Sequence, residues 1–144
     1  MDLRFEGVVI EAKFEHGAKS DIIWPTKGGA MSAQDCCLII FAKEPVSGKV
    51  KTRLSSKIGQ DRAAALYKAF LKDTYALTHF IPVHFRILAY ESFGGIPQYL
   101  YSTFPHFVFY PQHGIDPGSR IQDAAVYAKH MGAKRIVMIG VDSP

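Results

Sequence analysis

What most limits the fold of this chain is a set of short, wholly apolar runs separated by segments of helical period. Residues 36–42 (Cys-Cys-Leu-Ile-Ile-Phe-Ala) and 136–139 (Ile-Val-Met-Ile) carry no polar side chain. A strand with one wet face alternates apolar and polar residues, whereas an unbroken apolar run of this length fits a strand covered on both faces. Over 60–79, Ala63, Leu66, Tyr67, Phe70, Leu71, Thr74 and Leu77 form one stripe at helical spacing. Pro82 closes the connection to a second strand at 83–90, and 91–105 is irregular apart from a helical turn at 97–101. A third strand at 106–110 leads through the loop 111–118 to a helix at 120–131. There Ser119 and Gln122 have capping-box spacing, Ile121, Ala124, Ala125 and Ala128 face inward, and Gly132 caps the end. A fourth strand follows at 134–140. Strand–helix alternation with apolar strands predicts an α/β fold with a doubly wound parallel sheet and right-handed crossovers. Counting these four strands in chain order, the simplest winding gives the order 3-2-1-4.

The N-terminal stretch differs in character. Pro25, Gly28, Gly29 and the polar residues 32–35 predict a linker, and Met31 stands just before the first convincing strand. We therefore expect residues 1–35 to be an extension and linker, with the domain at 36–144. The alternative is an added edge strand, since Val8 to Glu15 alternates loosely. With 144 residues, 48% of them hydrophobic, the chain suffices for one core and one domain. It holds no run of the ~20 apolar residues that a membrane helix needs. Its acidic first residues do not form a signal peptide, so we expect a cytoplasmic protein. Cys36 and Cys37 are adjacent, point to opposite faces of a strand and lack zinc-type spacing, so they read as two reduced cysteines.

Charge singles out one loop. Residues 1–35 carry six acidic and four basic groups, while 36–144 carry seven acidic and thirteen basic. Eight of those thirteen lie between Lys43 and Lys72, against only Glu44 and Asp61. Such an excess suits an anionic ligand, although Lys68 and Lys72, four apart, fit a solvated helix face. The loop 41–54 reads Phe-Ala-Lys-Glu-Pro-Val-Ser-Gly-Lys-Val-Lys-Thr-Arg-Leu. Gly48 lets the backbone approach a ligand, Lys43, Lys49, Lys51 and Arg53 supply cations, and Thr52 adds a hydroxyl. A nucleotide diphosphate needs this mixture. The loop is not a P-loop, because Val50 follows Gly48-Lys49 and Lys43 stands where the first glycine belongs. In a 3-2-1-4 sheet the loop leaves the first strand, and Asp142 leaves the fourth, at the carboxyl ends beside the switch point, where ligands bind in such folds.

The run 38–54, from Leu-Ile-Ile-Phe-Ala-Lys-Glu-Pro to Lys-Thr-Arg-Leu, resembles the opening signature of a bacterial family of nucleotide-diphospho-sugar transferases. That family is described as the selenodomain-associated or arsenosugar-biosynthesis glycosyltransferases, part of it known only as a domain of unknown function. Residues 63–74, 112–120 and 136–144 match further segments in the same order, so the resemblance covers about 36–144. It implies a Rossmann-like sheet, the N-terminal nucleotide-binding part of a GT-A fold, and a glycosyltransferase that uses a nucleotide-sugar donor with Mg²⁺ or Mn²⁺. By the same resemblance Ala42, Lys43, Gly48, Lys51, Thr52 and Arg53 match the nucleotide loop. Asp116, Gly118 and Arg120 match a second nucleotide-side loop, and Asp142 matches the first aspartate of the metal motif. No catalytic residue is assigned.

Plainer roles stay open for several of these residues. Asp142 can be a frayed terminal residue, Asp116 a turn or N-cap residue, and Arg120 the partner of a surface acid. The family continues with a second acidic position, further strands and an acceptor-side segment, whereas this chain stops at Pro144. We therefore expect a fragment whose last strand is an open edge available for self-association. Competing functions are a nucleotidyltransferase of the same fold and a non-catalytic nucleotide-binding or interaction module. Nucleic-acid binding fits poorly, since the basic cluster is short and lacks interleaved aromatics.

Overall fold

The computed structural model describes residues 3–5, 8–11 and 35–141. Its central strand is β3 (Cys36–Lys43), the apolar run that opens the regular part of the sequence. After it come α1 (Thr52–Ile58), α2 (Gln60–Thr78), β4 (Phe85–Glu91), α3 (Gln98–Thr103), β5 (Val108–Pro111), α4 (Pro117–His130) and β6 (Arg135–Gly140). Two short strands precede it, β1 (Leu3–Phe5) and β2 (Val8–Glu11). The sheet order is β1-β2-β6-β3-β4-β5. Within it β5, β4, β3 and β6 are mutually parallel, which is the order 3-2-1-4 expected from the sequence.

Successive residues of β3 point to opposite faces, and each face has its own core. Cys37 and Ile39 pack with Ile87, Ala89, Ile136 and Met138 under the small residues Ala124, Ala125 and Ala128 of α4. Leu38, Ile40 and Ala42 pack on the other face with Tyr67 and Leu71 of α2 and with Leu100 and Phe104 from α3 and its end. Alanines along α4 let that helix lie close to the sheet, while bulky aromatics fill the opposite side. Both cysteines are buried and free, as read from the sequence.

Several expectations need correction. The last strand is not an open edge: β2 runs parallel to β6, with Val9 opposite Arg135 and Glu11 opposite Val137, and β1 pairs antiparallel with β2. The backbone of β6 thus bonds on both sides, which removes the basis for self-association through that strand. The added edge strand, the alternative at the N-terminus, is what the sheet contains at 8–11. The linker expected near 25–35 lies, up to residue 34, outside the described residues. Residues 52–54, expected at the end of the 41–54 loop, open the helix α1 instead. The helix expected at 120–131 begins three residues earlier, with Asp116 as N-cap and Pro117 in its first turn. On α2 the buried set is Ala63, Ala64, Tyr67, Leu71 and Thr78, so the inward face is rotated away from Leu77, which is 68% exposed.

Candidate nucleotide site

The carboxyl ends of β3, β4, β5 and β6 form one rim, and two loops of interest leave from it. The first follows β3. Its entry is fixed from below, because the Lys43 N–H donates to the hydroxyl of the fully buried Tyr67 at 2.8 Å. Its middle is anchored by Val50, 1% exposed, which drops into the core beside Ala42 and Tyr67. Between these anchors the chain turns through Gly48 at φ 79° and Lys51 at φ 49° before α1 begins at Thr52. A Cβ on Gly48 would sit 3.1 Å from Gln60 Oε1, so that position is both left-handed and closely approached. Ser47 Oγ donates to Asp61 Oδ1 at 2.6 Å, tying the turn to α2.

The candidate residues of this loop fall into two groups. Ala42 is buried, and its carbonyl accepts from Gln112 Nε2 at 3.2 Å. Lys43 is half-exposed and pairs with Glu91 Oε2 at 3.5 Å. Lys49 and Lys51 hold their ammonium groups 5.9 Å and 5.4 Å from the ring centres of Phe93 and Phe70. Thr52 and Arg53 are exposed on the first turn of α1. The Glu44 carboxylate accepts from Ser92 Oγ and from the Phe93 N–H, both at 3.2 Å.

The second loop follows β5. Gln112 stitches three strands at the rim: its N–H donates to the Tyr90 carbonyl, and its Nε2 donates to the carbonyls of Ala42 and, at 2.8 Å, Ala89. Gly114, at φ 130°, leaves no room for a side chain, since a Cβ would lie 2.9 Å from the Arg120 nitrogen. Asp116 caps α4 by accepting from the Ser119 N–H at 2.9 Å, while the Asp116 N–H donates to Ser119 Oγ. That backbone hydrogen bond from Ser119 holds the Asp116 carboxyl below the usual aspartate range. Gly118 sits exposed in the first turn behind it. The structure thus gives Asp116 the N-cap role, so an anion approaching the α4 terminus would meet a carboxylate there.

Arg120 ties the β5 loop to the end of β4. Its Nη1 lies 3.3 Å from Glu91 Oε1 and 3.4 Å from Gln112 Oε1, and its Nε donates to the Gly114 carbonyl at 3.1 Å. Glu91 therefore bridges two of the sequence-predicted cations, Lys43 from β3 and Arg120 from α4. Glu91 is not among the residues that the sequence singles out, since the second strand expected there ends at residue 90. Its signal was an acidic residue directly after an apolar strand, at the same rim as the basic loop.

Asp142 lies outside the described residues. What is seen is its neighbour: the Val141 N–H donates to the Phe41 carbonyl at 3.0 Å, and Gly140 stands opposite Phe41. The chain thus leaves β6 at the rim from which the 43–51 loop departs. Among the described residues no three His, Cys, Asp or Glu side chains gather as a metal site. None of the described helices is long and apolar enough to cross a membrane.

Comparison with solved structures gives a similarity to a candidate nucleotide-diphospho-sugar transferase from Desulfovibrio desulfuricans G20, with 31% sequence identity and a TM-score of 0.69. The fold is that of a nucleotide-diphospho-sugar transferase. The similarity covers 77% of this chain and 50% of the other, so the chain spans about half the length of that solved protein. No protein-family model matches the chain, and no curated protein does. Within this transferase fold the described residues supply the β3 loop, the β5 loop and the rim between them.

Proposed function

We propose that the chain carries the nucleotide-binding part of a metal-dependent glycosyltransferase, and that the rim of β3 and β6 holds the diphosphate of a nucleotide-sugar donor. On the strength of the 38–54 motif we place it with the selenodomain-associated and arsenosugar-biosynthesis type, in a cytoplasmic setting. The observation that carries the reading is the Val141–Phe41 hydrogen bond at 3.0 Å. It brings Val141, just past the end of β6, to the end of β3, from which the loop with Gly48, Lys49, Lys51 and Arg53 departs.

In this reading the backbone around Gly48 approaches the phosphates, Lys51 and Arg53 supply charge, and Thr52 offers a hydroxyl. Lys51 keeps its ammonium near Phe70, so it reaches a ligand by a rotamer change on a flexible stem. Arg120, Asp116 and Gly118 lie on the nucleoside side of the same rim. The described residues do not form a metal centre of their own. A Mg²⁺ or Mn²⁺ ion would rest on Asp142 and on oxygens of the ligand, a hard oxygen set of the kind both ions accept. When bound, it would offset the negative charge of the diphosphate leaving group.

The test is binding. A nucleoside diphosphate with Mn²⁺ should raise the melting temperature of the 144-residue chain. Asp142→Ala should abolish the metal's share of the rise and leave the metal-free share intact. A melting temperature that no nucleotide moves would refute the reading.

A further inference from the structure

Glu91 is the last residue of β4 and stands opposite Lys43 in the parallel register. Its main chain is fixed, because its carbonyl accepts the Glu44 N–H at 2.8 Å. The carboxylate lies between two cations that differ in freedom. Arg120 is held by Glu91 Oε1, Gln112 Oε1 and the Gly114 carbonyl, which fix its planar guanidinium from three directions. Lys43 reaches Glu91 Oε2 at 3.5 Å on a flexible stem, with its side chain 36% exposed. Glu91 Oε2 is itself buried and, among the described residues, makes no hydrogen bond.

We propose that Glu91 is a charge filter, a specificity residue that disfavours bare anions at this rim and admits diphosphates already complexed with a divalent cation. The inference rests on the diphosphate-binding reading above. An incoming anion must recruit Lys43 away from Glu91. That movement leaves Oε2 buried with neither a hydrogen bond nor its cation. The anion also meets the field of the carboxylate itself. A diphosphate that brings its own cation presents less negative charge and is penalised less. Arg120, locked in place, serves as a strut that holds the β5 loop to β4, and Lys43 is the cation that changes partners.

Titration calorimetry with inorganic pyrophosphate on the 144-residue chain tests this. In low salt with chelator, Glu91→Gln should bind pyrophosphate about ten-fold tighter than wild type. That is the effect of one unit charge at roughly 6 Å with an effective permittivity of about 40. The gap should close when Mg²⁺ is added. In a Lys43→Met background the gain from Glu91→Gln should shrink to the share owed to the carboxylate's own field, because the released cation is Lys43. If Glu91→Gln does not fold, carboxyl-carbon NMR of wild type gives the same decision, since pyrophosphate must shift the Glu91 carboxyl resonance. Equal or weaker binding by Glu91→Gln, or a Glu91 resonance that stays put, overturns the filter. In those cases the diphosphate site stands so long as wild type binds pyrophosphate and Arg53→Met weakens it. Binding by neither protein, with or without Mg²⁺, overturns both.

Discussion

Replacing Tyr67 by Phe probes how the β3 loop is held. The change keeps the ring in the core and removes the hydroxyl that accepts the Lys43 N–H at 2.8 Å. Tyr67 is fully buried, so water cannot take over that hydrogen bond without opening the core. Leaving a buried donor unmade costs about 1–3 kcal/mol. A chain of this length loses roughly 3 °C of melting temperature per kcal/mol, which predicts a fall of about 3–9 °C. The loss should be local as well as global. The Lys43 amide, protected in wild type, should exchange with deuterium much faster than amides in the middle of β3, because its opening no longer requires α2 to move. Calorimetry and hydrogen exchange followed by NMR measure the two effects. If the melting temperature stays within about 1 °C and Lys43 protection is unchanged, Tyr67 does not hold the loop entry, and the rim is organised by other contacts.

Four further outcomes follow from the structure. Gly48→Ala forces a Cβ into a left-handed turn at φ 79° and should destabilise by about 1–2 kcal/mol in urea unfolding while weakening nucleoside diphosphate binding. Gly59→Ala, at φ 92° with open space around it, should destabilise without touching binding. Val50→Ala empties a buried anchor of the loop and should lower stability by about 2 kcal/mol, again read from the urea midpoint. Alkaline stability should fall. Burial, with Cys36 adjacent, pushes the Cys37 thiol up to about 12. Burial and the hydrogen bond to Asp123 push the Tyr110 phenol up to about 12. The unfolded chain releases these protons first, so stability holds below about pH 9 and declines between about pH 9 and pH 12. Urea midpoints across that range should show a shallower decline in Cys37→Ala, and an unchanged slope would refute the assignment to Cys37.

Strand order was legible because β3 and β6 are apolar on both faces, and only interior strands of a parallel sheet need that. The same reasoning erred at the outer side of β6. Its cover, β2, is the four-residue strand Val-Val-Ile-Glu, too short to outweigh the proline, glycines and polar residues at 25–35 that read as a linker. Helix α1 was missed for a related reason: Thr-Arg-Leu-Ser-Ser-Lys-Ile buries no residue, so it has no apolar period to read. On α2 the exposed Leu77 drew the predicted stripe toward solvent, whereas Thr78 goes inward because its hydroxyl bonds the Thr74 carbonyl at 2.6 Å. In the candidate site, the cationic loop and the Asp116–Arg120 segment were visible as residue types. Their bridging by Glu91 and Gln112 was not, since it depends on neighbours across strands rather than on spacing along the chain.

The position of β6 bears on the order in which the molecule can be assembled. Arg135 has Val9 on one side and Cys36 on the other. Neither partner can be satisfied until residues 135–140 have left the ribosome. During synthesis one flank of the most apolar strand stays unbonded, and the β1–β2 pair has nothing to lie against. Insertion of this one segment then seals two seams at once. The nascent chain is therefore most prone to wrong pairing just before that insertion, and a chaperone that shields the bare flank of β3 would have its largest effect there.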